Sequence, residues 1–97
     1  MPQSLQVIAI IKVQPPHLET VREALRTAQL LVLEEDGCKH YAFYADTAMP
    51  TRLFAIERWR DQAALDAHAQ APALQTLPRV LEGRATVDIC QLEALLT

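Results

Sequence analysis

The chain is poor in the residues that cross-link a small protein or loosen its backbone. It contains 2 Gly and 2 Cys among 97 residues, and Cys38 and Cys90 lie too far apart for a disulfide framework or a paired-cysteine zinc motif. Basic runs are absent as well, and 9 Lys and Arg against 12 Asp and Glu give a net charge of −3. Nucleic acids and anionic membranes are therefore not expected as partners.

The sequence also has no long apolar run. Its apolar stretches are well below the roughly 18 residues that a membrane span requires, and Met1 to Ser4 form no positively charged leader, so we expect a cytoplasmic protein. Hydrophobic residues make up 51% of the chain and charged residues 22%, which is typical of a globular protein. Since no repeat or linker divides the chain, we predict one domain over residues 1–97, with a core thin enough to benefit from a partner chain.

Hydrophobic periodicity predicts the order strand, helix, strand, strand, helix, strand. The β-branched stretch from Leu5 to Val13 is typical of a strand, and apolar residues at alternating steps of three and four after Pro16 are typical of an amphipathic helix, which ends before an Asp36–Gly37 turn. Two further strands, a pair of short helices and a last strand are expected at 38–46, 53–60, 62–70, 72–83 and 85–92. Pro78 should kink or restart the second short helix.

This order is that of a ferredoxin-like βαββαβ fold of the α+β class, with the helices on one face of the sheet. The first strand is apolar on both sides, with Val7, Ala9 and Ile11 on one side and Ile8 and Ile10 on the other. The face without helices would therefore expose apolar surface. We predict that a second copy of the chain covers it, which gives a homodimer packed sheet against sheet.

Three side chains are candidates for chemistry because the pattern brings them to one place. Glu57 and Trp59 share a face of a central strand, and His68 lies on the inner side of the helix that packs over this face. Such a pocket offers an indole wall for a flat ring, an imidazole that exchanges protons near neutral pH and a carboxylate that orients the imidazole. Tyr41 and Tyr44 lie on opposite faces of their strand, so only one of them can reach the pocket. We favour Tyr41 as this further pocket residue.

Structural roles compete with this hypothesis. A buried carboxylate such as Glu57 is more often paired with a cation or a backbone donor than used in catalysis. A histidine on an apolar helix face, such as His68, is more often a hydrogen-bonded core residue than a base. The convergence of these residues in one pocket is better support for function than either residue alone.

Motifs for other kinds of chemistry are missing. His17, His40 and His68 show no metal-ligand spacing, so no metal is expected. The sequence has no glycine-rich phosphate loop, no Gly-x-Ser-x-Gly elbow and no flavin or nicotinamide fingerprint. No cofactor is therefore expected, and a redox role would depend on the chemistry of the substrate. Cys38 and His40, on one face of their strand, form only a weak candidate for a nucleophilic dyad.

Several of these residues also match a known family. The segments Glu35–Cys38, Ile56–Trp59 and Asp61–His68, together with Tyr41 and the Ala71–Pro72 step, resemble the antibiotic biosynthesis monooxygenase domain, including its quinol monooxygenase-like members. The resemblance covers nearly the whole chain. It implies a dimeric α+β barrel built from two ferredoxin-like protomers.

For function, the resemblance implies that a small phenol or quinol is oxidised by dioxygen without metal or flavin. Trp59 and His68 match pocket positions of the family, and Glu57 matches its strand carboxylate. His68 and Glu57 are then expected to be catalytic, and Trp59 and Tyr41 to bind the substrate. Two other functions fit the same pocket. One is a binding or stress protein that holds a small aromatic molecule unchanged, and the other is an isomerase of a small hydroxy-ketone with His68 and Glu57 as proton shuttles.

Overall fold

Four antiparallel strands form one sheet, in the order β2-β3-β1-β4. The computed structural model describes residues 4–96. Its elements are β1 (Leu5–Val13), a short 3-10 turn (Pro15–His17), α1 (Leu18–Val32), β2 (Cys38–Ala45), β3 (Arg52–Trp59), α2 (Gln62–Gln70), α3 (Pro72–Leu81) and β4 (Ala85–Leu92). This order and pairing confirm the ferredoxin-like α+β fold predicted from periodicity. Among these residues, no helix is both long and apolar enough to cross a membrane.

One face of the sheet carries the core. Val7, Ala9 and Ile11 of β1 are buried, so this side of the strand faces the helices. α1 packs against this face through every third or fourth residue, namely Val21, Leu25, Ala28 and Val32. Burial of a Val or Leu side chain is worth roughly 1.5–3 kcal/mol, so this stripe outweighs the weak propensity of an isolated helix of this length.

No helix formed by residues 4–96 lies on the opposite face of the sheet. Ile8, Ile10 and Phe54 lie there half-buried, and Ile56 is 41% exposed. Tyr44 lies on the same face, and its hydroxyl is 3.4 Å from Nε2 of His40. The apolar surface expected on this face is therefore present, and its coverage by a second copy stays a prediction.

An irregularity in β2 overturns one prediction about faces. Cys38 pairs with Trp59 and His40 pairs with Arg58, with a register shift between Cys38 and His40. The extra residue of such a bulge breaks the simple alternation of side chains. Cys38 consequently packs against the core beside Trp59, whereas His40 lies on the helix-free face. The prediction that Cys38 and His40 share a face is wrong, and they form no dyad.

The second short helix runs through its proline. α3 extends from Pro72 to Leu81 with Pro78 inside it, so the helix is not restarted there. A proline removes one backbone donor from a helix interior, at a typical cost of about 3 kcal/mol. Leu77 and Leu81 pack into the core on either side of Pro78, and this packing holds the segment helical.

The turn after α1 depends on Gly37, as predicted. Gly37 has a φ of +84°, and a Cβ atom built on it would lie 2.4 Å from Cβ of Ala64 in α2. Its carbonyl oxygen accepts a hydrogen bond of 2.8 Å from the backbone N–H of Arg60. The missing side chain therefore lets the end of α1 and the start of α2 touch.

We expect Gly37→Ala to lower the free energy of unfolding by about 2–4 kcal/mol, because it adds a left-handed backbone penalty to a steric clash. Gly83→Ala is the matched control, since Gly83 has a φ of +75° with no atom within 4 Å of its would-be Cβ. That variant should lose only about 1–2 kcal/mol. Urea unfolding measures the loss of unfolding free energy in both variants. Equal losses would show that the close approach to Ala64 does not affect stability.

Candidate functional site

A cavity of about 530 Å³ lies between the core face of the sheet and the helices α2 and α3. Its volume is within the range of roughly 300–1,000 Å³ that small-molecule sites occupy. Ala9 and Ala55 line it and are paired in the register of β1 and β3, so two small side chains at the sheet centre leave the space open. The remaining wall is mostly apolar, with Leu65, Leu74 and Leu77 from the helices.

The cavity reaches solvent along the edge strand β4. Val87 and Ile89 line it and are 39% and 67% exposed. Four further polar side chains line the cavity, namely Gln62, Asp66, Glu82 and Gln91. A ring of moderate size can therefore enter from the β4 side and pack against apolar walls.

Glu57 is a buried carboxylate with a defined donor. Its side chain lies on the core face of β3, and the residue is 6% exposed. The indole Nε1–H of Trp59 donates a hydrogen bond of 2.9 Å to Oε1 of Glu57. Burial raises the pKa of the Glu57 carboxyl, and the Trp59 donor and nearby His68 partly offset this effect. The partner of Glu57 is therefore the indole of Trp59, and not the cation or backbone donor considered for it from the sequence.

His68 is held between two carboxylates. Its Nδ1 lies 2.8 Å from Oε1 of Glu35, and its Nε2 lies 4.0 Å from Oε1 of Glu57. Because an ionised carboxylate only accepts hydrogen bonds, the contact with Glu35 places a proton on Nδ1. In the neutral imidazole, Nε2 then presents its lone pair on the cavity side, where His68 lines the wall. This is the arrangement of a general base.

Glu35 is the site residue that the sequence analysis missed. It was expected only within the matching segment Glu35–Cys38, and the carboxylate that orients the imidazole was assigned to Glu57. The structure assigns the orienting contact to Glu35, since its distance to His68 is 2.8 Å and that of Glu57 is 4.0 Å. The turn at Gly37 brings Glu35 to α2, and the glycine is the sequence feature from which the contact could have been inferred.

Tyr41 lies close to His68 and lines the cavity. It pairs with Glu57 in the register of β2 and β3, and its ring centroid is 5.6 Å from that of His68. Burial, with the Glu57 and Glu35 charges nearby, raises the pKa of Tyr41. The hydroxyl therefore stays protonated at neutral pH and is available as a donor in a cavity that Tyr41 lines.

Trp59 is in a different place from the one expected. The residue is fully buried, and the cavity lining does not include it. Its ring lies against the imidazole of His68, with centroids 4.4 Å apart and a tilt of 32°. The indole therefore does not form a wall for a flat ligand. The indole packs against the imidazole of His68 and donates a hydrogen bond to Glu57, so it fixes the positions of both groups.

Other reactive groups are not assembled into a second centre. Within residues 4–96, no group of three or more His, Cys, Asp or Glu side chains could hold a metal ion. Burial, followed by the charges of Glu35 and Glu57, raises the pKa of the Cys38 thiol. Cys38 is therefore protonated at neutral pH and is a poor nucleophile.

The raised pKa of Glu57 predicts a pH dependence of stability. A carboxyl whose folded-state pKa lies above its ordinary value of 4.5 contributes stability below that pH, and the contribution is lost as pH rises through the folded-state pKa. In Glu57→Gln, the amide oxygen can still accept from Trp59 but does not ionise. We expect this variant to gain stability relative to the parent as pH rises from acid to neutral. Unfolding curves at several pH values measure the difference in free energy of unfolding, with the exposed Glu34→Gln as control. A difference between Glu57→Gln and the parent that stays constant with pH would contradict this prediction.

Sequence and fold comparisons point to one family. The chain matches the family model described as antibiotic biosynthesis monooxygenase over residues 4–77. A protein of Escherichia coli (strain K12) named probable quinol monooxygenase YgiN is 32% identical over 89 residues, which cover 81% of this chain and 86% of that protein. The crystal structure of PA3566 from Pseudomonas aeruginosa has a TM-score of 0.91 at 32% identity, covering 98% of this chain and 97% of the other. Rv0793 from Mycobacterium tuberculosis has a TM-score of 0.89 at 26% identity, covering 96% of each chain.

Proposed function

Because the chain belongs to the antibiotic biosynthesis monooxygenase family, we propose that it is a monooxygenase acting on a small phenol or quinol, with dioxygen as the second substrate and no bound cofactor. The relative named probable quinol monooxygenase supports this substrate class. The observation that carries the proposal is His68, which lines the cavity with its Nδ1 2.8 Å from Glu35 and its Nε2 4.0 Å from the Glu57 carboxylate.

The cavity suits an aromatic ring with a hydroxyl group. Apolar side chains form most of the wall, while Tyr41, Glu57 and His68 bring polar atoms together at one side. A ring in the apolar part can direct a hydroxyl to Nε2 of His68, and the Tyr41 hydroxyl can donate to the oxygen as it becomes an anion. In this proposal His68 is the catalytic base and Tyr41 binds the substrate. Glu35 orients the imidazole, Trp59 packs against it, and Glu57 lies 4.0 Å from Nε2.

Removal of the hydroxyl proton is the step that these residues promote. A phenolate is far richer in electrons than a phenol, so it can pass an electron to dioxygen, and exclusion of water protects the reactive species. For a quinol, one oxygen atom enters the ring as a hydroxyl and the other leaves as water, with the quinol itself oxidised to a hydroxyquinone. The quinol supplies all the electrons, so the reaction needs no external reductant.

Oxygen uptake by metal-stripped protein tests this proposal. We expect uptake with simple quinols, together with a hydroxylated quinone as product. Binding of the quinol without oxygen uptake, seen as a thermal shift, would instead indicate a binding protein. Conversion of a hydroxy-ketone under anaerobic conditions would indicate an isomerase. Either result would overturn the monooxygenase proposal.

We also propose that two copies pack through the helix-free face of the sheet. The apolar residues Ile8, Ile10, Phe54 and Ile56 form the centre of this face and support a sheet-on-sheet contact. Sedimentation equilibrium should then give twice the mass of the chain. Ile56→Glu should shift the mass toward that of one chain, whereas Leu30→Glu, on the exposed side of α1, should not. A parent protein that sediments as a single chain would contradict the dimer.

A further inference from the structure

The imidazole of His68 separates two spaces. On one side His68 lines the large cavity, where Nε2 lies near Glu57. On the other side Nδ1 contacts Glu35, and Glu35 lines a separate groove of about 250 Å³ on the outer surface. Asp36 and Arg60 also line this groove. The contact between His68 and Glu35 therefore connects the cavity to a second opening.

The two sides of the imidazole differ in their access to water. The side chains of His68 and Glu57 are 7% and 8% exposed, whereas that of Glu35 is 17% exposed. The outer groove stays open because α2 presents small side chains to it, namely Ala63, Ala64 and Ala67. A ring bound in the cavity would displace water from the Nε2 side, and the Glu35 carboxylate would still be reached from the groove.

We propose that Glu35 is a proton-relay residue that links the cavity to solvent through His68. This inference rests on the proposed role of His68 as a base. A proton from the substrate hydroxyl binds to Nε2, the proton on Nδ1 passes to the Glu35 carboxylate, and Glu35 releases it to water in the groove. The same transfers run in reverse when one oxygen atom of dioxygen leaves as water, so no proton is gained or lost over the cycle.

The conservative variant Glu35→Gln separates a relay from a positioning role. The amide oxygen of glutamine can still accept a hydrogen bond from Nδ1–H, but an amide does not take up the proton. If Glu35 only orients the imidazole, Glu35→Gln should behave like the parent. If Glu35 relays protons, the variant should keep the imidazole orientation and lose the transfer. The ¹⁵N chemical shifts of His68 report whether Nδ1 still carries the proton.

A nitrophenol is a suitable probe because its absorbance reports its ionisation and it has no second hydroxyl to be oxidised. After a rapid pH change, we expect ionisation of the bound probe to be slowed about 100-fold in Glu35→Gln, the lower end of typical acid–base contributions. Glu34→Gln, an exposed neighbour, is the control and should match the parent. In Glu35→Ala, added formate can enter the groove and should restore the rate in a saturable manner.

Three results would overturn the relay. The first is a parent-like rate in Glu35→Gln, and the second is a slow Glu35→Ala variant that formate does not accelerate. The third is failure of the parent to bind nitrophenol, which would also contradict the proposal that the cavity binds an aromatic ring. The monooxygenase proposal can fail separately. If the parent ionises nitrophenol through Glu35 but takes up no oxygen with quinols, the relay is supported and the monooxygenase proposal is contradicted.

Discussion

His68→Gln should lower quinol turnover by about 100-fold or more, the usual contribution of a general base. Glutamine can still donate to Glu35 from its amide, so the contact that locates the side chain can persist. It cannot accept a proton at neutral pH, so the base is lost. His68→Ala is less informative, because it would empty a buried site and leave Glu35 without its partner.

The measurement is steady-state oxygen uptake, with His17→Gln as matched control. His17 lies in the short turn before α1, away from the cavity lining, and its replacement should leave turnover unchanged. Thermal unfolding of each variant checks that the protein remains folded. If a folded His68→Gln variant turns over quinol at the parent rate, His68 is not the catalytic base.

Trp59→Ala should produce the largest loss of stability, about 3–5 kcal/mol in the free energy of unfolding. Trp59 is among the largest fully buried side chains, and its removal leaves a void between the sheet and α2. The substitution also leaves Glu57 without its hydrogen-bond donor and removes the ring that packs against His68. Because a domain of this size has only about 5–15 kcal/mol of stability in total, the variant should be close to unfolding.

Trp59→Phe separates the two contributions of the indole. It keeps most of the ring volume but removes the N–H that donates to Glu57, so we expect a smaller loss of about 1–3 kcal/mol. The lost donor should also raise the pKa of the Glu57 carboxyl further. Denaturant unfolding measures both variants. A loss of less than about 1 kcal/mol in Trp59→Ala would show that the indole does not hold this part of the core together.

The fold could be predicted because its signals are local and periodic. The alternation of Val7, Ala9 and Ile11 with Ile8 and Ile10 needed only a period of two, and the inner face of α1 needed only a period of 3.6. The same periods placed Glu57, Tyr41 and His68 on faces that meet, and the structure brings these residues together around one cavity.

The features that were missed depend on long-range packing. Glu35 and His68 are 33 residues apart, and their contact depends on how the Gly37 turn packs on α2. The bulge at Cys38 is set by pairing with β3 and has no signature in the alternation of residues. Whether Trp59 lines the cavity or lies behind it is decided by depth, and periodicity gives a face but not a depth.

The proposed mechanism requires a phenolic ring to bind in the cavity and to give its proton to Nε2 of His68. The most direct measurement is the ¹⁵N spectrum of the His68 ring, recorded while hydroquinone is added without oxygen, so that no turnover occurs. We expect Nε2 of His68, whose Nδ1 lies 2.8 Å from Oε1 of Glu35, to become protonated as the ligand saturates the cavity. Saturable binding with no change at Nε2, or with shifts confined to residues outside the cavity, would contradict it.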